Sequence, residues 1–352
     1  MHQSAHGHDH CSTEKKRLSD CGVNGMKNNA RPFQLWWKMP GSGIDEIWTL
    51  DADDVGATVF HFSPFDRSQN APSLQLRGTK RPAAAPESGT IKLHSSPEKS
   101  GANRHVHMQA VDAALKSIER GDLDKVVLSR SEFWETDIDP ESLFRSKCQI
   151  YPDSLVYLFA HSASGVWLGA SPELLLRRSS NRFETVSLAG TKSDLSAQWT
   201  EKEYREQEMV TDFITERLKS AGARNVFHQV PKDRAYGGIK HLESQIEFSS
   251  NDHEMTWLNE LHPTPAVGGE PREEALRFIA KYERQPRGYY TGFLGWSEKE
   301  EASYFVNLRC MQCFADGFRL FAGGGIVSGS DANEEWEETR VKIDTIRSKL
   351  NR

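Results

Sequence analysis

The chain has 352 residues, a net charge of -6, 37% hydrophobic and 27% charged residues, the profile of a soluble globular protein able to bury a large core without staples. A net negative chain offers no basic face for a phosphate backbone, so nucleic acid is not expected as a partner, and no apolar run approaches a membrane span, so no membrane is expected either. The five cysteines are odd in number and not spaced as a disulfide framework, which points to a reducing cytoplasm.

In chain order, residues 1–30 are polar, with His2, His6, His8, His10 and Cys11 close together, and read as a disordered tail whose histidines could otherwise hold a stray metal ion. Residues 31–102 read as N-terminal strands and a linker belonging to the same domain as the rest of the chain. FQLWW, IWTL and ATVFHF are strand-like, whereas 70–102, with Pro72, Pro82, Pro86 and Pro97, reads as loop. From 103 to 352 the pattern tightens into one catalytic core. Val106, Val111, Ala114, Leu115 and Ile118 recur at helical spacing and Gly121 stops the helix. KVVLSR is a strand starting at Lys125, Asp139-Pro140 opens a short helix, and SLVYLFAH, GVWLGA and FETVSLAG are strands. A helix spans 201–219, with Tyr204, Met209, Val210, Phe213, Ile214 and Leu218 as its apolar positions. YFVNLRCMQCF and FRLFAGGGIV are further strands, and a last helix runs from 333 to 350. Hairpin-like strand pairs with helices between groups predict an α+β fold with a largely antiparallel sheet.

Several residues carry potential chemistry. Glu203 and Glu206, and again Glu335 and Glu338, share a helical face at a spacing of three. Two such pairs facing each other would surround a hard cation such as Mg²⁺ with carboxylate oxygens, although a lone Glu-x-x-Glu on a surface helix is usually just solvated. Lys125, at the head of a β-branched strand, either snorkels to solvent or sits at a site mouth, where a desolvated lysine can act as a general base. Glu173, beside Pro172 and between apolar segments, is either a structural hydrogen-bonding group or a carboxyl whose raised pKa suits a general acid. AGGGIVSGS is either a turn or a place where backbone N–H groups approach an anion. Arg309, placed in a strand, offers a fork for a carboxylate, and Lys342 lies one helical turn past Glu338. Cys310 and Cys313 form a lone CxxC on opposite strand faces, which argues against zinc.

Taken in order, KVVLSR, GASPELLLR, VSLAGTK, EKEYREQEM, IKHLESQIEF, LHPTPAVGGEP, RGYYTGFLGW, VNLRC, FAGGGIVSGS and EEWEETRVK resemble the chorismate-utilising enzymes, and isochorismate synthases in particular. The resemblance implies their fold, antiparallel β-sheets packed as a sandwich with helices outside. It also implies their chemistry. Lys125 would activate water to attack C2 of chorismate, and Glu173 would protonate the departing C4 hydroxyl. Glu206 and Glu338 would bind Mg²⁺ directly, supported by Glu203 and Glu335. Arg309, Tyr290 and the backbone at Gly323 would hold the enolpyruvyl carboxylate, with Gly190, His241, Thr264 and Lys342 lining the pocket. Ammonia-using relatives usually carry glutamine where this chain has Lys125, so no glutamine amidotransferase subunit is expected. Ala189 departs from the lysine that aminodeoxychorismate-forming relatives usually have, and LHPTPAVGG looks more like isochorismate synthases than salicylate synthases. The segment between Gly190 and Glu203 is shorter than in some relatives, which affects a surface loop. Salicylate synthase, which adds pyruvate elimination, and a non-catalytic chorismate- or Mg²⁺-binding protein are the alternatives. The product would feed menaquinone or catechol siderophore synthesis, with menaquinone preferred on frequency alone, and a monomer is expected.

Overall fold

The computed structural model describes residues 33–66, 71–192, 194–236 and 239–348; the tail predicted over 1–30 lies outside them. The first strands are β1 (Phe33–Lys38), β2 (Ile47–Ala52), β3 (Thr58–Ser63) and β4 (Leu74–Ala83). Helix α1 (Arg104–Glu119) leads to β5 (Lys125–Glu135), and α2 (Pro140–Ile150) to β6 (Leu155–His161), β7 (Gly165–Ser171), β8 (Leu174–Ser179) and β9 (Arg182–Lys192). Helix α3 (Glu201–Ser220) precedes β10 (Arg224–His228), β11 (Lys232–Tyr236) and β12 (Ile239–Ser249). Then come α4 (Glu254–Leu261), β13 (Gly269–Glu270), α5 (Arg272–Tyr282), β14 (Phe293–Glu298), β15 (Glu301–Val306), β16 (Cys310–Phe314), β17 (Gly317–Ile326) and α6 (Ala332–Ser348).

The strands join in one antiparallel ribbon, in the order β13, β5, β17, β16, β7, β6, β1, β2, β4, β3, β14, β15, β8, β9, β12, with β10 and β11 sharing the outer edge of β12. The ribbon folds back so that its halves face each other. Between them lies an aromatic core in which Phe62 of β3 meets Phe159 of β6 at 4.9 Å and Trp167 of β7 at 6.2 Å, and Trp37 of β1 meets Phe60 at 6.0 Å. Strands alternate their side chains, so the outer faces need their own cover. Helices α2 and α6 cover β6, β7, β16 and β17, helices α1 and α5 cover β5, and helices α3 and α4 cover β8, β9, β12 and β15. Cys310 packs in the inner core and Cys313 in the outer cluster, on opposite faces as predicted. The α+β sandwich with helices outside is thus the observed architecture.

Several local expectations need correction. Strand β4 occupies Leu74–Ala83, inside the stretch read as loop, and pairs with both β2 and β3. Its apolar residues are few and Pro82 masks the strand signal. On α3, Tyr204 is 47% and Met209 63% exposed, while the buried face runs through Gln207, Val210, Thr211, Ile214 and Leu218. The polar residues Gln207 and Thr211 displaced the apolar ones because they bond to the sheet beneath. The run YFVNLRCMQCF is not one strand. Asn307 is fully buried, accepts from Tyr157 Oη at 2.7 Å and donates to Tyr289 O at 2.8 Å. That network breaks the ladder, so β15 ends at Val306 and Arg309, at φ 48°, stands on the crossing between the two halves instead of in a strand.

A buried ion pair fixes three segments around the inner end of β5. Arg287, on the connection after α5, is 3% exposed and donates to Val267 O and Val127 O, each at 2.7 Å, and to both oxygens of Glu283. Glu283 in turn accepts from Ser129 N at 2.7 Å. Deleting one partner leaves a desolvated charge without its mate, so Arg287→Met should lower the unfolding free energy by about 3–5 kcal/mol in urea titrations; a change under about 1 kcal/mol would mean that the pair is replaceable.

Candidate active site

The site grows from the pairing of β17 with β5. Gly323, Gly324 and Gly325 stand opposite Ser129, Leu128 and Val127. A Cβ on Gly325 would lie 3.1 Å from Lys125 Cε, one on Gly324 2.8 Å from Glu335 Oε2, and one on Gly323 3.3 Å from Tyr290 Oη. The strip therefore lacks side chains where three site residues cross it. Lys125, the first residue of β5, points its Nζ to within 3.5 Å of Glu206 Oε1 on α3. Gly269 of β13 closes onto the Lys125 backbone. A Cβ there would sit 2.3 Å from Lys125 O, and φ is +144°, so only glycine serves.

Glu173 lies on the short link between β7 and β8 and is 6% exposed. Its carbonyl accepts from Val306 N at 3.0 Å, which anchors the link to the end of β15. Burial pushes its carboxyl up to about 7, the charge of Glu243 on β12 adds to this, and Lys125 opposes it. A carboxyl in that state is a proton donor near neutrality. Tyr290, buried and stacked on Phe321 at 5.3 Å between centroids, is held in its phenol form by burial, with Glu173 among the charges acting the same way.

His241 on β12 meets Gly190 O through Nδ1 at 2.9 Å, and Gly190 takes φ +64° beneath Trp199. Burial holds the His241 ring down to about 4. The Gly190 carbonyl opposes this, and the cations Arg309 and Lys342 reinforce it, so the imidazole is neutral. That electrostatic coupling also places His241, Arg309 and Lys342 in one neighbourhood. Lys342 donates to Gly323 O at 2.8 Å and pairs with Glu338 at 2.7 Å. Thr264 is buried, and its hydroxyl has no hydrogen-bond partner among the described residues.

The four glutamates divide. Glu206 faces Lys125, Glu338 faces Lys342, and Glu203 serves its own helix by accepting from Thr200 N at 2.6 Å in a capping box and pairing with Lys192 at 3.0 Å. Burial works against ionised Glu203, but the Thr200 N–H and Lys192 together hold its carboxyl below the usual range. Glu335 is pushed up by burial, against a hydrogen bond to Ser330 and with the charge of Glu338 adding, and its Oε2 is buried without a hydrogen-bond partner among the described residues. No group of three or more His, Cys, Asp or Glu side chains is arranged to hold a metal among the described residues. The donors nonetheless fit a hard cation. They are carboxylate oxygens, and the orphaned Glu335 oxygen beside bare Gly324 is a buried acceptor in need of a positive partner.

Sequence reasoning missed Glu243, whose charge helps keep Glu173 protonated, and Trp199, whose indole caps Gly190 and donates to Asp233 at 2.6 Å. Glu243 was hidden in a strand of alternating polarity, and Trp199 in a loop without periodicity.

Residues 68–351 match the model of the family described as chorismate binding enzyme. Isochorismate synthase MenF of Escherichia coli (strain K12) is 32% identical over 256 residues, covering 69% of this chain and 59% of that protein. Isochorismate synthase EntC of the same strain is 34% identical over 255 residues, covering 68% and 65%. The chain thus aligns with only about three fifths to two thirds of these relatives' length. The solved structure of MenF, the menaquinone-specific isochorismate synthase from Escherichia coli, superposes with a TM-score of 0.76 at 23% identity, covering 90% of this chain and 88% of that one, which shows a shared fold. With the family model spanning most of the sequence, the chain belongs to the chorismate-binding enzymes.

Proposed function

We propose that this protein is an isochorismate synthase that uses Mg²⁺ and converts chorismate to isochorismate. The observation that carries the reading is Glu173, a buried carboxyl pushed up to about 7 within the electrostatic reach of Lys125. Lys125 in place of glutamine and the relatives named isochorismate synthase support it further. Lys125, as general base, takes a proton from water as the water oxygen bonds to C2. The ring double bonds shift, the C4–O bond breaks, and the departing oxygen takes the proton of Glu173 and leaves as water. Water is a poor nucleophile and hydroxide a poor leaving group, so both partners are needed.

Glu206, Glu335 and Glu338 would hold Mg²⁺, with Glu203 behind them, and the ion would bind and neutralise the ring carboxylate. Arg309, Tyr290 and the Gly323 backbone would receive the enolpyruvyl carboxylate, and Gly190, neutral His241, Thr264 and Lys342 would line the same pocket. The product suits menaquinone or catechol siderophore synthesis, in keeping with relatives that serve such routes by name. The buried, unpaired thiols Cys148, Cys310 and Cys313 suit the cytoplasm. A single chain without an amidotransferase subunit completes the reading.

Incubation of the purified protein with chorismate and Mg²⁺ should give isochorismate on chromatography with no stoichiometric pyruvate in a lactate dehydrogenase coupled assay. Absence of isochorismate would overturn the reading, and stoichiometric pyruvate would turn it into salicylate synthase. Lys125→Ala and Glu173→Gln should each lower kcat by at least about 10²-fold with unchanged circular dichroism.

The pH dependence has a definite sign. Glu173 works in its protonated form, and its pKa is raised to about 7. kcat/KM should therefore fall as pH rises through that value. A profile flat from pH 6 to pH 9 would remove Glu173 from the role of acid.

A further inference from the structure

Each helix that carries a glutamate pair is also fastened to the sheet by a buried polar clamp, and in both the clamp residue directly follows the second glutamate. On α3 the sequence is Glu203-Tyr-Arg-Glu206-Gln207, and on α6 it is Glu335-Trp-Glu-Glu338-Thr339. Gln207 is fully buried. Its amide donates to Ser187 O at 3.0 Å, Ser187 Oγ at 2.9 Å and Ser244 Oγ at 3.2 Å, and Ser187 and Ser244 stand opposite each other in the pairing of β9 with β12. Thr211, one turn on, closes the set with its hydroxyl 2.7 Å from Ser187 Oγ.

Thr339 is fully buried too. Its hydroxyl accepts from Arg130 Nε at 2.7 Å and donates to Trp336 O at 2.8 Å. Arg130, 2% exposed on β5, lies 3.9 Å over the Trp336 ring and pairs with Glu132, which also holds Arg347 of α6 at 3.1 Å. Thr339 Cγ2 and Glu335 Oε2 both border the space that a Cβ on Gly324 would fill, so the clamp and the carboxylate share one stripe of the helix.

An apolar helix–sheet contact tolerates small rotations and slides of the helix, whereas a hydrogen bond between buried groups accepts one register. Successive residues are about 100° apart around a helix axis. A clamp fixed inward at 207 or 339 therefore sets the direction of the preceding glutamate. We infer that Gln207 and the Arg130–Thr339 pair are positioning residues that fix the register of α3 and α6, and through it the aim of Glu206 and Glu335/Glu338 at a shared Mg²⁺. This rests on the reading of those glutamates as metal carboxylates. The alternative is that the clamps only stabilise the fold.

The test uses Gln207→Met and Thr339→Val, each close to isosteric and on a different helix, in the full chain. Mg²⁺ affinity is read by calorimetry without substrate, and the thermal midpoint is read alongside. Each variant should fold with native circular dichroism and lose about 10- to 100-fold in Mg²⁺ affinity, the range found for groups that orient metal ligands. Gln207→Glu, which can keep bonds to the serine hydroxyls, should recover part of the loss. Variants that bind Mg²⁺ as the unaltered protein does, whatever their midpoint, would overturn the clamp assignment and leave the metal reading intact. An unaltered protein that binds no Mg²⁺ would overturn the metal reading and the clamp role together. If one variant fails to fold, the other decides by the same two outcomes.

Discussion

The site depends on one strip of backbone that carries no side chains. At Gly323–Gly325 the β17 strand runs beside β5 in full antiparallel register, and three site residues cross it at distances that no Cβ would permit unchanged. Lys125 passes over Gly325, Glu335 over Gly324, and Tyr290 over Gly323. The same strip offers Gly323 O to Lys342. Lys125 and Tyr290 cross one face of the strip and Glu335 the other, because successive strand residues face opposite ways. Strand pairing thus brings together groups that lie some two hundred positions apart in sequence.

The charges around the strip are arranged for exchange. Glu206 with Lys125, Glu338 with Lys342 and Glu203 with Lys192 are lysine–carboxylate pairs at the edge of the site. The side chains of Glu206 and Glu338 are about two fifths and one half exposed, so their pairs are worth little and can open at small cost. A dication taking the carboxylates and a dianion taking the lysines would replace these pairs without leaving a net charge. Glu173 is handled in the opposite way. It is shut away from water, so burial more than pairing sets its protonation and pushes its carboxyl up to about 7.

Much of this was legible in the sequence, for identifiable reasons. The helices expected at 201–219 and from 333 and the strands expected from Lys125 and Phe318 lie within one residue of the observed starts, and the ordered motifs carried the family. All the failures but the one at β4 share a cause, which is polar residues committed to buried partners. Asn307 broke a strand that looks continuous, Gln207 and Thr211 took the buried face of α3 from Tyr204 and Met209, and Pro82 disguised β4. The capping role of Glu203 was missed although Thr200 stands three residues before it, the spacing of a capping box. Partners distant in sequence decide the cases of Asn307, Gln207 and Thr211.

The central claim, that the bare strip holds the carboxylate of Glu335 in place, is tested most directly by calorimetric titration of Gly324→Ala with Mg²⁺. The new methyl group would come too close to the far end of the flexible Glu335 side chain and reach ordinary contact with Thr339 Cγ2, so the fold should persist while Glu335 is turned away. The account predicts native circular dichroism, an unchanged thermal midpoint and Mg²⁺ affinity lowered by at least about tenfold. Mg²⁺ binding equal to that of the unaltered protein would contradict it.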